Sequence, residues 1–233
     1  MSAVQREKRK WTVSPARAAR YESERQQIIR TAYRLMASGQ GTVSIQDILD
    51  SAGLSTRAFY RHFASKNDLF LAMYRNDNQR LAQALSEATM AEPDAWQALR
   101  AWVELSLAVA FEPDRLRHSR VLSSAEVQHA EGYKRELLDG KDRSRASLEA
   151  LLLRGGLDGT FQTVQAREDA LVIFGATSEF VSIRLEGGEE ALNQKQALDA
   201  ILGAAARLLG VPAQGAVTRR RKRPARSSAT SVR

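Results

Sequence analysis

Between Ser44 and Phe70 the chain reads SIQDILDSAGLSTRAFYRHFASKNDLF, a run of closely spaced helix starts around one helix stop. Ser44 and Asp47 form an S-x-x-D pattern, in which each side chain satisfies a free backbone N–H at a helix start. Ile45, Ile48, Leu49 and Ala52 then recur at i, i+3, i+4 and i+7, the spacing of one apolar helix face. Gly53 stops that helix, as glycine does just past a C-terminus. Ser55 or Thr56 caps the next one, and Ser65 with Asp68 opens a third. A chain punctuated this way folds here into short helices joined by a tight turn.

The middle helix carries two kinds of residue. At about 100° per residue, Thr56, Arg57, Tyr60 and Arg61 share one side, and Ala58, Phe59, His62 and Phe63 share the other. A core takes the second face, and a charged partner suits the first. A helix, a glycine turn and an outward-facing basic–aromatic helix over residues 25–66 make a helix-turn-helix. In that unit the second helix enters the DNA major groove with its N-terminal residues at the base edges. Arginine there pairs bidentately with guanine, and threonine bonds a base or touches a thymine methyl. Tyrosine and lysine toward its far end hold phosphates and set the register.

Charge agrees with an anionic partner, and its placement matters more than the net +8. Residues 1–25 carry +4 and residues 215–233 carry +7, so the intervening body is mildly acidic. Six bases fall within residues 219–226, beside Pro224. Such clusters attract polyanions. The absence of cysteine excludes disulfides, thiolate nucleophiles and cysteine-held metals. No glycine-rich phosphate loop, dinucleotide fingerprint or nucleophile elbow occurs. His62, His118 and His129 lack metal-ligand spacing. We therefore expect no catalysis, no cofactor and no metal site. The charged start MSAVQREKRKW has no apolar run after it, and stretches such as ALVIFGATS are too short to span a bilayer. The expectation is a cytoplasmic protein without a membrane partner.

Along the rest of the chain the periodicity is helical. Residues 1–21 read as a basic flexible arm, and a helix pattern with Ile28, Ala32, Leu35 and Met36 on one stripe begins at Glu22 and stops at Gly39. A long helix bears Leu69, Phe70, Met73, Leu81 and Leu85 and ends at AEPD (91–94), with a domain boundary placed inside it near residue 75. Further helices hold Trp96, Leu99, Val103 and Leu107, then Leu116 and Val121, then Leu137 through Leu152, and finally 167–185 and 193–209. No β-alternation, repeat or heptad run interrupts them. The predicted fold is all-α: a helix-turn-helix domain over 22–75, a helical domain over 76–212 and a basic disordered tail over 213–233. Trp96, Trp102, Phe111, Tyr133 and Phe174 are candidates to line a pocket in the second domain, although aromatics at helical spacing are more often plain core.

The segment RQQIIRTAYRLMASGQGTVSIQDILDSAGLSTRAFYRHFASKNDLF resembles the DNA-binding segment of the TetR (tetracycline-repressor) family of bacterial transcription regulators. The order helix, G, S-x-x-D-I, AGLS, FYRHF, SK carries the likeness, which covers residues 25–70. Arg57 departs from the small residue, often glycine, that family members carry near this point. The resemblance implies a DNA-contacting set of Thr42, Ser44, Ser55, Thr56, Arg57, Tyr60, Arg61 and Lys66, with Lys66 on phosphate. It also implies a homodimer, and a C-terminal pocket whose small-molecule inducer releases a double-stranded operator. The last two helices would pair across the dimer, through Phe174, Phe180 and Ile183 in one and Leu198, Ile201, Leu202, Leu208 and Leu209 in the other. The function expected is that of a transcriptional repressor. The alternative is a general DNA-organising protein that relies on its basic ends.

Overall fold

The computed structural model describes residues 14–39, 42–187 and 193–211. The C-terminal basic cluster, the N-terminal bases up to Lys10 and most of the EGGEE segment at 186–190 lie outside those residues. Among the described residues there are ten helices and no strand, the all-α fold that the periodicity predicts. They are α1 (Pro15–Ala37), α2 (Ile45–Ala52), α3 (Thr56–His62), α4 (Lys66–Ala91), α5 (Ala95–Phe111), α6 (Pro113–Leu122), α7 (Ala125–Gln128), α8 (Tyr133–Leu157), α9 (Ala166–Leu185) and α10 (Gln194–Leu208).

Local chemistry sets the short helices. Ser44 Oγ accepts from Asp47 N at 3.1 Å while Asp47 Oδ2 accepts from Ser44 N at 2.8 Å, which completes the capping box of α2. Gly53 takes φ 65°, the left-handed conformation that ends α2 and turns the chain into α3. Ser55, not Thr56, caps α3 by accepting from Ala58 N at 3.3 Å.

The first helix corrects the sequence expectation. It begins at Pro15 rather than at Glu22, so residues 15–21 are helix and not part of an arm. Ser14 accepts from Arg17 N, and Pro15 sits at the first helical position, where its missing N–H costs nothing. The Ser-Pro pair announced this start. Residues 15–21 show no apolar stripe, so hydrophobic periodicity does not reach this start.

Two apolar clusters organise the molecule. The first packs Ile28, Ile29 and Ala32 of α1 with Ile48 and Leu49 of α2, Phe59 of α3, Phe63 and the Leu69–Phe70–Met73 turn of α4. It also takes in Val121, Leu122, Val127 and Ala130 from α6 and the turn around α7. The second cluster joins α5, α8, α9 and α10 around Leu99, Trp102, Leu107, Leu148, Leu152 and Ile201. Helix α4 belongs to both, because Leu85 lies in the second. Tyr33 of α1 stacks on His118 of α6 at 3.8 Å, and His118 Nε2 lies 2.9 Å from Asp77 of α4, so a polar cluster ties the three helices together.

Helix α10 turns its apolar stripe inward. Leu198, Ile201, Leu202 and Leu209 are buried within this chain, and Phe174 and Phe180 pack on the same core. Leu198, Ile201, Leu202 and Leu209 are therefore not free to form a dimer face, whereas Phe174 and Phe180 of α9 stay half-buried. The exposed apolar residues of this region are Leu171, Val172 and Ile183 on α9. Among the described residues no helix is long and apolar enough to cross a membrane.

Candidate functional site

Helix α3 is seated by its apolar side. Phe59 has no exposure and Phe63 only 2%. Their rings meet at 5.6 Å, and the Arg25 guanidinium lies 5.5 Å over the Phe63 ring. With that side anchored, Thr56, Arg57, Tyr60 and Arg61 are exposed, Tyr60 to 58%. Ser55 at the start of α3 and Thr42 and Ser44 at the start of α2 are exposed as well.

The far end of α3 is braced by a group that sequence reasoning missed. Glu24 of α1 pairs with Arg61 through a close contact, meets His62 Nε2 at 3.3 Å and meets Arg20 at 3.4 Å. The His62 hydrogen bond, followed by the Arg61 interactions, holds the Glu24 carboxyl below the usual range against the opposing cost of burial. Tyr21 Oη donates to the Arg61 carbonyl at 2.9 Å, and its ring lies 4.2 Å from the His62 imidazole. Had α1 been extended to Pro15, its 3.6-residue period would have placed Arg17, Tyr21 and Glu24 on one face. Arg17 and Arg20 then line a groove with Ser55, Arg57 and Arg61, which gives this surface four arginines and one carboxylate.

Lys66 departs from expectation. It was expected to point outward, yet its ammonium pairs with Glu126 of α7 and lies 5.3 Å from the Phe70 ring centroid. Its side chain is 25% exposed. The carboxylate that holds it is distant in sequence, so local spacing gave no sign of the pair.

The second candidate site is a cavity of about 540 Å³ between α4, α5, α8 and α9. Trp102, Tyr133 and Phe174 line it; Trp96 and Phe111 do not. Trp96 packs on the C-terminal core, and Phe111 does so beneath the Arg184 guanidinium at 5.9 Å. Trp102 Nε1 donates to Ser147 Oγ at 2.9 Å, which fixes the indole as a wall. Tyr74 faces Tyr133 at 4.9 Å, and burial raises its hydroxyl pKa, so both remain neutral hydrogen-bonding groups. Asn78, Ser106 and Thr177 add polar groups that sequence reasoning did not single out. A pocket that mixes aromatic walls with a few convergent polar groups suits a small organic ligand. Among the described residues no group of three or more histidines or carboxylates has the arrangement of a metal site.

Residues 28–73, which span α3 and its supports, match the bacterial regulatory proteins of the tetR family. The HTH-type transcriptional repressor AcnR of Corynebacterium diphtheriae is 27% identical over 117 residues, 45% of this chain and 62% of that protein. AcnR of Corynebacterium glutamicum is 34% identical over 71 residues, covering 30% and 38%. The HTH-type transcriptional activator FasR of Mycolicibacterium smegmatis is 32% identical over 88 residues, covering 38% and 40%. The chain thus spans between about two fifths and three fifths of the length of these relatives. Among solved structures, a TetR-family regulator from Mesorhizobium loti superposes with a TM-score of 0.68 at 19% identity, over 81% of this chain and 98% of that one. FadR of Bacillus subtilis, solved with stearoyl-CoA, gives 0.64 at 15% identity, over 78% and 98%. These structural likenesses show the fold. The matched residues are those that seat and present α3, and in this N-terminal unit the chain is similar to the tetR family of bacterial regulatory proteins.

Proposed function

We propose that the chain is a transcriptional repressor that reads a double-stranded operator with α3 and is released from it by a small molecule held in the C-terminal cavity. The observation that carries this reading is the two-sidedness of α3: Phe59 is fully buried while Thr56, Arg57 and Tyr60 stand exposed on a helix of the matched segment. Arg57 in the first turn reaches a base edge. Thr42, Ser44, Tyr60 and Arg61 contact the backbone and set the register. Residues 22–75 act as the DNA-binding domain and 76–212 as the ligand-binding and dimerisation domain.

Two copies join through the exposed apolar residues of α9, Leu171, Val172 and Ile183. A two-fold dimer presents its recognition helices to half-sites about 34 Å, or a multiple, apart. A ligand shifts the operator-bound state only if it binds the two conformations with different affinity. The test is enrichment of bound sequences from a random duplex pool. The expected product is a pair of inverted half-sites at that spacing. A pool that stays random while binding remains tight would favour a DNA-organising protein instead.

A further inference from the structure

The connection from α6 to α8, residues 123–132, touches both proposed sites. Toward the cavity it contributes Ser123 and Gln128 to the wall, and Tyr133 follows at the start of α8. Toward the DNA-binding unit it grips the first turn of α4. Glu126 pairs with Lys66. Asn67 Nδ2 donates to the Glu131 carbonyl at 3.1 Å, and Asn67 Oδ1 accepts from Glu131 N at 2.7 Å. Val127 and Ala130 fix the same turn in the N-terminal apolar cluster. Lys66 is a cation of the DNA-binding unit whose charge is neutralised by a residue of a distant segment.

The pair is part-buried, with side-chain exposures of 25% for Lys66 and 29% for Glu126. Both side chains still reach solvent. A DNA phosphate is an anion that the same ammonium can pair with, so Glu126 and a phosphate are alternative partners for Lys66. Resting on the operator-binding reading, we propose that Glu126 competes with a DNA phosphate for the Lys66 ammonium, and that the cavity acts on operator affinity through this α7 turn. A shift of the turn that carries Glu126 away from Lys66 gives the DNA-binding unit one more phosphate contact. A shift that tightens the pair removes one.

Counterion release sets the size of the effect. One added phosphate contact steepens the slope of log affinity against log salt by about 0.9. At 0.1 M salt such a contact is worth about eight-fold relative to 1 M. Glu126→Gln should therefore raise operator affinity several-fold at 0.1 M and steepen the slope by about one. Glu126→Asp, which keeps the charge, should restore the shallower slope.

Removing any carboxylate near DNA attracts the polyanion through space, so the decisive comparison is made in a Lys66→Gln background. There Glu126→Gln should leave the slope unchanged. An equal steepening with Lys66 absent would overturn the proposal, as would no change from Glu126→Gln in the unmodified chain. The cavity is tested by Ser178→Phe on its α9 wall, with Ser144→Phe on α8 as the second variant should the first melt early by circular dichroism. Filling the cavity should alter operator affinity in the chain with Glu126, and that change should vanish in Glu126→Gln. If it persists at full size, the cavity acts by another route and the second half of the proposal fails. Selective operator binding by the unmodified protein is the control that separates these failures from failure of the functional reading.

Discussion

The N-terminal and C-terminal units are both helical, but different kinds of information hold them together. Helices α2, α3 and the start of α4 each carry a side-chain cap, from Ser44, Ser55 and Ser65, and close over the buried Phe59, Phe63 and Ile48. In the C-terminal unit α5 and α10 are capped by Asp94 and Asn193, but the N-cap residues of the long α8 and of α9, Gly132 and Gln165, supply no side-chain cap. These helices cohere through contacts distant in sequence, such as the hydrogen bond from Trp102 of α5 to Ser147 of α8, and they line a cavity. A unit specified locally is a rigid template, suited to holding α3 at a fixed angle. A unit assembled from long helices around a space can repack, which suits a ligand site.

The contrast can be broken by substitution. The largest effect is expected for Phe59→Ala, which empties the centre of the N-terminal cluster and should cost about 3–5 kcal/mol in urea unfolding. If the loss is below about 1 kcal/mol, α3 is not seated as described. In the C-terminal unit, Gly155→Ala places a methyl carbon 2.2 Å from Phe161 Cε2. This overpacking should cost about 1–3 kcal/mol, partly offset by the better helix propensity of alanine. Gly140→Ala is the sharpening control. Its methyl meets the amide of Asn78 at 2.5 Å, the end of a side chain that can swing aside, so its melting temperature should stay close to that of the parent. The smaller local effect is Ser55→Ala, which removes the cap of α3 and should cost about 1 kcal/mol.

The same contrast explains what the sequence made legible. The capping box at Ser44, the glycine stop at Gly53 and the two faces of α3 follow from residues three or four apart, and all stand in the structure. The limits of α9 and α10 fall within a residue of the expected 167–185 and 193–209, and Asn193 with Gln196 forms a second capping box at the start of α10. The start of α1 was missed because its first turns bury no stripe and instead brace α3 through Tyr21 and Glu24. Lys66 was read from its place after α3, but its partner Glu126 arrives from α7 and leaves no local signature. Of five aromatics proposed for the cavity, Trp102, Tyr133 and Phe174 line it while Trp96 and Phe111 do not. Helical spacing alone does not tell an aromatic facing a void from one facing a neighbouring helix.

The central claim is that the exposed face of α3 reads bases, and Arg57 tests it most directly because it stands in the first turn, outside the Glu24 network that holds Arg61. The measurement is a titration of Arg57→Ala and the parent chain on the enriched operator and its single-base-pair variants. A loss of about 1–3 kcal/mol on the operator is expected, together with relaxed preference at one base position and unchanged preference elsewhere. A uniform loss across all variants, with every base preference intact, would make Arg57 a backbone contact and contradict the account.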